Sequence, residues 1–158
     1  MSAASAACEV ARLTSFEDAE DPFVYPLLSR TLRGFEEAPD QPRLDLSVAA
    51  YVFKALAHEG WRPELDHCIA CGDPLPLWFS AAAGGALCES CAREVPGAEP
   101  VSPSQISWIR ALIRSTFDQL LAADVTPECA LWLLGCAHSW AATHLDARLR
   151  AFEFMLAL

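Results

Sequence analysis

Apolar residues recur at helical spacing along most of this chain and lose that rhythm in one stretch, residues 61–100. Between Phe23 and Glu37 they fall at Val24, Leu27, Leu28, Leu32 and Phe35, an i, i+3, i+4 stripe that predicts a helix. Pro26 sits in its first turn, where a missing amide costs little, and the Pro39 to Pro42 segment ends it in a loop. A further helix is predicted from about Asp45 to His58, with Val48, Tyr51, Val52, Ala55 and Leu56 inward and Gly60 as its carboxyl-terminal cap. Residues 2–13 read as helical by composition, although their amphipathic pattern is poor. The acidic run Glu17 to Asp21 reads as a solvated loop or helix start.

After residue 100 the helical rhythm returns. Ser102-Pro103-Ser104-Gln105 has the form of a capping box with proline at the first helical position. The buried face predicted behind it is Ile106, Ile109, Leu112, Ile113, Phe117 and Leu120. Thr126-Pro127-Glu128 opens a last helix by the same logic. Its stripe of Leu131, Leu134, His138, Ala142, Leu145, Leu149, Phe152 and Met155 is long enough to predict a kink or break near Gly135 or His144. No internal repeat is present at any period. The fold class expected is mainly α, a helical domain carrying an inserted four-cysteine, ribbon-like module. Its divisions are residues 1–60, 61–100 and 101–158.

The insert holds four of the seven cysteines, five of the eleven prolines and four of the seven glycines. Its cysteines read Cys68-Ile69-Ala70-Cys71-Gly72 and Cys88-Glu89-Ser90-Cys91, a C-x2-C-x16-C-x2-C pattern that points to a metal site. Two intervening residues let the chain turn tightly enough to aim both sulfurs at one point, and Gly72 relieves the crowding of such a turn. Pro74, Pro76, Gly84 and Gly85 suit the connector to a strand-turn-strand excursion. Four thiolates on tetrahedral zinc close the coordination shell, so the ion would be structural. Iron could use the same ligands. A pair of redox dithiols would call for βαβ surroundings that the pattern does not offer, and disulfides are disfavoured without an export signal. His67, beside the first ligand, reads as exposed or as support for the shell.

Composition and charge narrow the class. With 53% hydrophobic and 20% charged residues in a chain of 158, a sizeable core is available and disorder is excluded. Apolar runs are too short for a transmembrane helix, and residues 1–8 lack the form of a signal peptide, so a cytoplasmic location is expected. The net charge of -10 argues against a free-standing nucleic-acid binder. It is uneven: residues 14–66 carry -6, residues 67–100 carry -3 and residues 101–158 only -1. An anionic partner would find the last segment least hostile, where Arg110 and Arg114 lie four apart and Arg148 and Arg150 lie near the end. Cys8, Cys129 and Cys136 read as buried small residues, His138 and His144 as core or edge histidines, and the five tryptophans as packing residues. No nucleophile elbow, phosphate loop or H-E-x-x-H occurs, so catalysis is not expected.

The segment from Gly60-Trp61-Arg62-Pro63-Glu64-Leu65-Asp66-His67 to Cys68-Ile69-Ala70-Cys71-Gly72 resembles the entry to the zinc module of the bacterial RecO recombination-mediator family. The resemblance continues through Phe79-Ser80, Gly84-Gly85-Ala86-Leu87-Cys88-Glu89-Ser90-Cys91 and the tail His144 to Arg150 with Phe152 and Phe154. It implies a role in DNA repair by homologous recombination, binding to DNA, and partnership with RecR and the acidic tail of single-strand-binding protein. It assigns Cys68, Cys71, Cys88 and Cys91 as ligands of one structural zinc ion. Members of that family begin with an OB-fold of roughly eighty residues. This sequence starts at the helical region, so that domain is expected to be absent. The competing expectation is a zinc-stabilised protein-interaction module without DNA binding of its own.

Overall fold

A computed structural model describes residues 2–15 and 21–157. Most of the acidic run predicted as a loop therefore lies outside the described residues. Among those described are eight helices and a small sheet: α1 (Ser2–Thr14), α2 (Val24–Glu37), α3 (Gln41–His58), α4 (Glu89–Ala92), α5 (Pro103–Arg114), α6 (Phe117–Ala122), α7 (Pro127–Leu145) and α8 (Arg150–Met155). The strands are β1 (Trp78–Ser80), β2 (Gly85–Leu87) and β3 (Glu99–Pro100). They pair antiparallel in the order β2-β1-β3. The fold is mainly α, as the hydrophobic pattern predicts.

The centre is α3. Every residue from Asp45 to Phe53 is buried, because α1, α2, α5, α6 and α7 all pack around it. A helix apolar on all sides is what a central position demands. It begins earlier than the sequence suggests. The Asp40 carboxylate accepts a bond from the Arg43 amide at 3.0 Å, and Pro42 sits in the first turn, so the supposed loop is the helix start.

Two other boundaries differ from expectation. The Ser102 capping box forms as predicted, with Gln105 N to Ser102 Oγ at 3.1 Å and Ser102 N to Gln105 Oε1 at 2.9 Å. The helix behind it stops at Arg114, however, and a second box, Thr116 with Gln119, opens α6. Phe117 and Leu120 are buried on that separate helix. Lys54 secures the break by donating to the carbonyls of Ile113 and Ser115. At the carboxyl end, α7 passes through Gly135 and stops at Asp146, whose φ of 48° is left-handed. Amides of Ala151 and Phe152 at the start of α8 then bond to Glu9 of α1, closing the bundle.

The inward face of α7 is Ala130, Leu133, Leu134, Ala137, Trp140 and Ala141. Small alanines let it approach α3 closely, which rotates Leu131 outward to 54% exposure, against the expected stripe. Cys8 is also exposed, and Cys129 and Cys136 are only half-buried where they pack against the core. Trp140 joins bundle to sheet: its ring lies 6.0 Å from Phe53 and 5.9 Å from Phe79, and its Nε1 donates to the Trp61 carbonyl at 3.2 Å.

His138 and His144 each hold a buried Nε2 with no partner among the described residues. Burial pushes both imidazoles below their ordinary value, which Glu153 and Glu9 oppose at His138 and the Ala81 backbone opposes at His144. A lowered folded-state value means that the unfolded chain binds more protons. The contribution is complete above about pH 6.5 and is lost as pH falls below it. The melting temperature should therefore fall between pH 7 and pH 5. A His138→Gln/His144→Gln variant should show a flatter profile over that window in thermal unfolding followed by circular dichroism.

Candidate metal centre and adjoining cleft

The insert is bound to the bundle before it reaches its cysteines. After α3, Gly60 turns the chain with a φ of 99°, and residues 62–66 run beside β2. There Glu64 N donates to Gly84 O at 3.1 Å and Ala86 N donates to Glu64 O at 2.8 Å. Gly85 permits this approach, since a Cβ at that position would lie 2.3 Å from the Glu64 carbonyl oxygen. One side of the sheet, with Phe79 and Ala86, joins the main core. The other side carries Leu87, which packs with Cys68, Cys88 and Ala92 in a separate small cluster.

Each cysteine pair is held by its own turn. Gly72 N donates to Cys68 O at 2.8 Å, and Cys68 N to Asp73 O at 2.8 Å, with Gly72 at a φ of 82°. Cys88 caps α4, where Ala92 N donates to Cys88 O at 2.9 Å. The β1–β2 hairpin brings the two turns together. All four sulfurs lie within 4.8 Å of one another, and Cys71 and Cys88 are 3.7 Å apart. Ligands about 2.3 Å from a tetrahedral ion sit about 3.8 Å apart, so the shell fits a metal ion with four soft donors.

The thiols report the same crowding. Burial pushes Cys68 up, yet the amides around Cys88, Cys71 and Ala70 outweigh it and pull the group down to about 6. Cys91 is pushed up to about 12 by the Cys88, Cys71 and Cys68 thiols beside it. The backbone accommodates negative charge on some of these sulfurs, and mutual repulsion opposes it on the others. A divalent cation removes that conflict by pairing with all four.

The predicted arginines occupy two places. Arg110 and Arg114 line a cleft of about 110 Å³ against residues 62–66, and Arg62, which the pattern did not single out, lines it too. Arg110 donates to Asp66 at 2.7 Å. Arg148 bonds to Glu153 at 3.0 Å, and Arg150 is exposed at the start of α8. His67 is exposed beside the first turn. A larger hollow of about 570 Å³ lies between α7 and the sheet, lined by Phe79, Val101, Leu131, Trp132 and Gly135 among others.

A model of the family described as recombination protein O, C terminal, matches residues 1–152. The chain belongs to the RecO family. It is 33% identical over 114 residues to DNA repair protein RecO of Bifidobacterium longum strain DJO10A, 72% of this chain and 46% of that protein. The RecO of Frankia casuarinae is 33% identical over 127 residues, 80% and 49% of the two chains. That of Desulforudis audaxviator is 27% identical over 150 residues, 94% and 59%. This RecO-family chain thus spans about half the length of the curated relatives it matches. Among the described residues, no helix is long and apolar enough to cross a membrane.

Two outcomes follow for this RecO-family module. Gly85→Ala should separate residues 62–66 from β2 and destabilise the protein by about 2 kcal/mol in denaturant unfolding; Gly135→Ala, with nothing within 4 Å of its added Cβ, should be neutral or stabilising. Cys71→Ser should abolish stoichiometric metal uptake measured by elemental analysis. It should also open residues 61–100 to limited proteolysis while leaving most of the helical circular dichroism.

Proposed function

We propose that this protein acts in DNA repair and homologous recombination as a mediator or adaptor, by binding rather than catalysis. The observation that carries this reading is the family match over residues 1–152. Cys68, Cys71, Cys88 and Cys91 would hold one zinc ion, which supplies cross-linking of the two turns and leaves no coordination position for substrate. The four-sulfur donor set supports zinc, and elemental analysis that finds iron instead overturns that choice. The module at 61–100 is then an insert stabilised by metal between the helical parts at 1–60 and 101–158.

The partners that fit this role are DNA, RecR and the acidic tail of single-strand-binding protein, in the cytoplasm. In a chain of net charge -10, phosphate contact has to be local. The cleft supports such a contact because Arg62, Arg110 and Arg114 line it together against two acids, Glu64 and Asp66. Arg148 and Arg150 form the second candidate pair. The alternative is a zinc-stabilised protein-interaction module without DNA binding. It is favoured by the 570 Å³ hollow and by Leu131 and Phe154, which stand 54% and 77% exposed.

Fluorescence anisotropy of labelled single-stranded DNA separates the readings. Binding should weaken steeply between about 50 and 200 mM salt. Arg110→Ala/Arg114→Ala should lose about tenfold in affinity, while metal content stays unchanged. No binding at low salt overturns the DNA role in favour of the interaction module.

A further inference from the structure

The two carboxylates of the arginine cleft are used differently. Glu64 is turned onto the backbone, where its Oε1 accepts from the amides of Asp66 at 2.9 Å and His67 at 3.3 Å. Asp66 instead presents Oδ1 to Arg110 Nη2 at 2.7 Å. Among the described residues, neither Arg62 nor Arg114 pairs with an acid. The cleft therefore keeps two uncommitted guanidiniums beside one that already holds an anion.

We propose that Asp66 is a built-in competitor, an intramolecular anion occupying Arg110 until a DNA backbone phosphate displaces it. This rests on the reading of the cleft as a phosphate contact. A cleft of about 110 Å³ holds a phosphate group but not a whole nucleotide, and guanidinium forks match phosphate oxygens. Displacement is open to an external anion because the Asp66 side chain is 64% exposed, and an exposed ion pair is weak against competition. Asp66 is nevertheless always near Arg110. Glu64 is bonded to Gly84 and Ala86 on one side of it, and Cys68 is bonded to Asp73 and Gly72 on the other. That tether gives its carboxylate a high effective concentration, against which the incoming phosphate must compete. Asp66 thereby sets the affinity threshold of the cleft and restricts it to ligands that engage Arg62 and Arg114 as well.

The test is an anisotropy titration of a fluorescein-labelled oligo-dT with the full metal-loaded chain at low salt. The proteins are the unmodified chain, Asp66→Asn, Arg114→Ala and the double variant, each with metal content and circular dichroism verified. Asp66→Asn should tighten binding about fivefold and steepen the salt dependence by up to about one phosphate's worth of counterions. Arg114→Ala should weaken binding in both backgrounds. If Arg114→Ala weakens binding but Asp66→Asn leaves it unchanged or weaker, Asp66 merely positions Arg110 and the competitor role is overturned while the cleft stands. If Arg114→Ala has no effect, the phosphate reading of the cleft fails and the inference fails with it. Binding of a polyglutamate peptide in place of the oligonucleotide overturns the choice of DNA as partner.

Discussion

Four cysteine sulfurs within 4.8 Å of one another cannot all carry charge unless a cation sits among them. That constraint governs the non-helical part of this protein. The cluster behind the sulfurs consists of Cys68, Leu87, Cys88 and Ala92, with a few partly buried neighbours. The strands are three, three and two residues long. Fixing each backbone residue costs roughly 1–2 kcal/mol, and so small a cluster returns only a few kcal/mol at about 25 cal/mol per Å² of apolar surface. A metal bound by four thiolates contributes its binding free energy directly to ordering such a segment.

The cysteine shell does not stand apart from the bundle. Phe79 and Ala86 belong to the main core, and Phe79 meets Trp140 of α7. The strand-like run at 62–66 is bonded to β2 through Glu64 and borders α5 through Asp66 and Arg110. Any change that loosens the cysteine turns would therefore be felt first at the wall of the arginine cleft. The helical core would feel it later, because α3 is enclosed by five other helices.

Local chemistry in the sequence was readable wherever a short motif decides the structure by itself. The spacing of Cys68, Cys71, Cys88 and Cys91 led to a clustered shell, and Ser102 with Gln105 led to a formed capping box. The same rule would have found Thr116 with Gln119, but a continuous apolar stripe through Phe117 and Leu120 hid the break. The capping signal of Asp40 is masked by two nearby prolines that read as a loop, although Pro42 is compatible with a first turn. Periodicity misplaces the face of α7 because alanine, weak as a hydrophobic signal, marks the closest helix approach, and Leu131 points outward in consequence. Arg62 and Asp66 could not be placed from spacing at all. Their relation to Arg110 and Arg114 is a tertiary contact, spanning 44 residues between Asp66 and Arg110.

The most direct test of a metal-ordered module on a self-standing bundle is amide hydrogen exchange on the metal-loaded chain before and after chelation. Protection at Glu64, Ile69 and Ala86 should be lost on chelation while the amides of α3 and α7 stay protected. Protection unchanged throughout would contradict it, because the metal would then hold nothing together. So would loss of protection across the whole chain at once, because the bundle could then not stand without the shell.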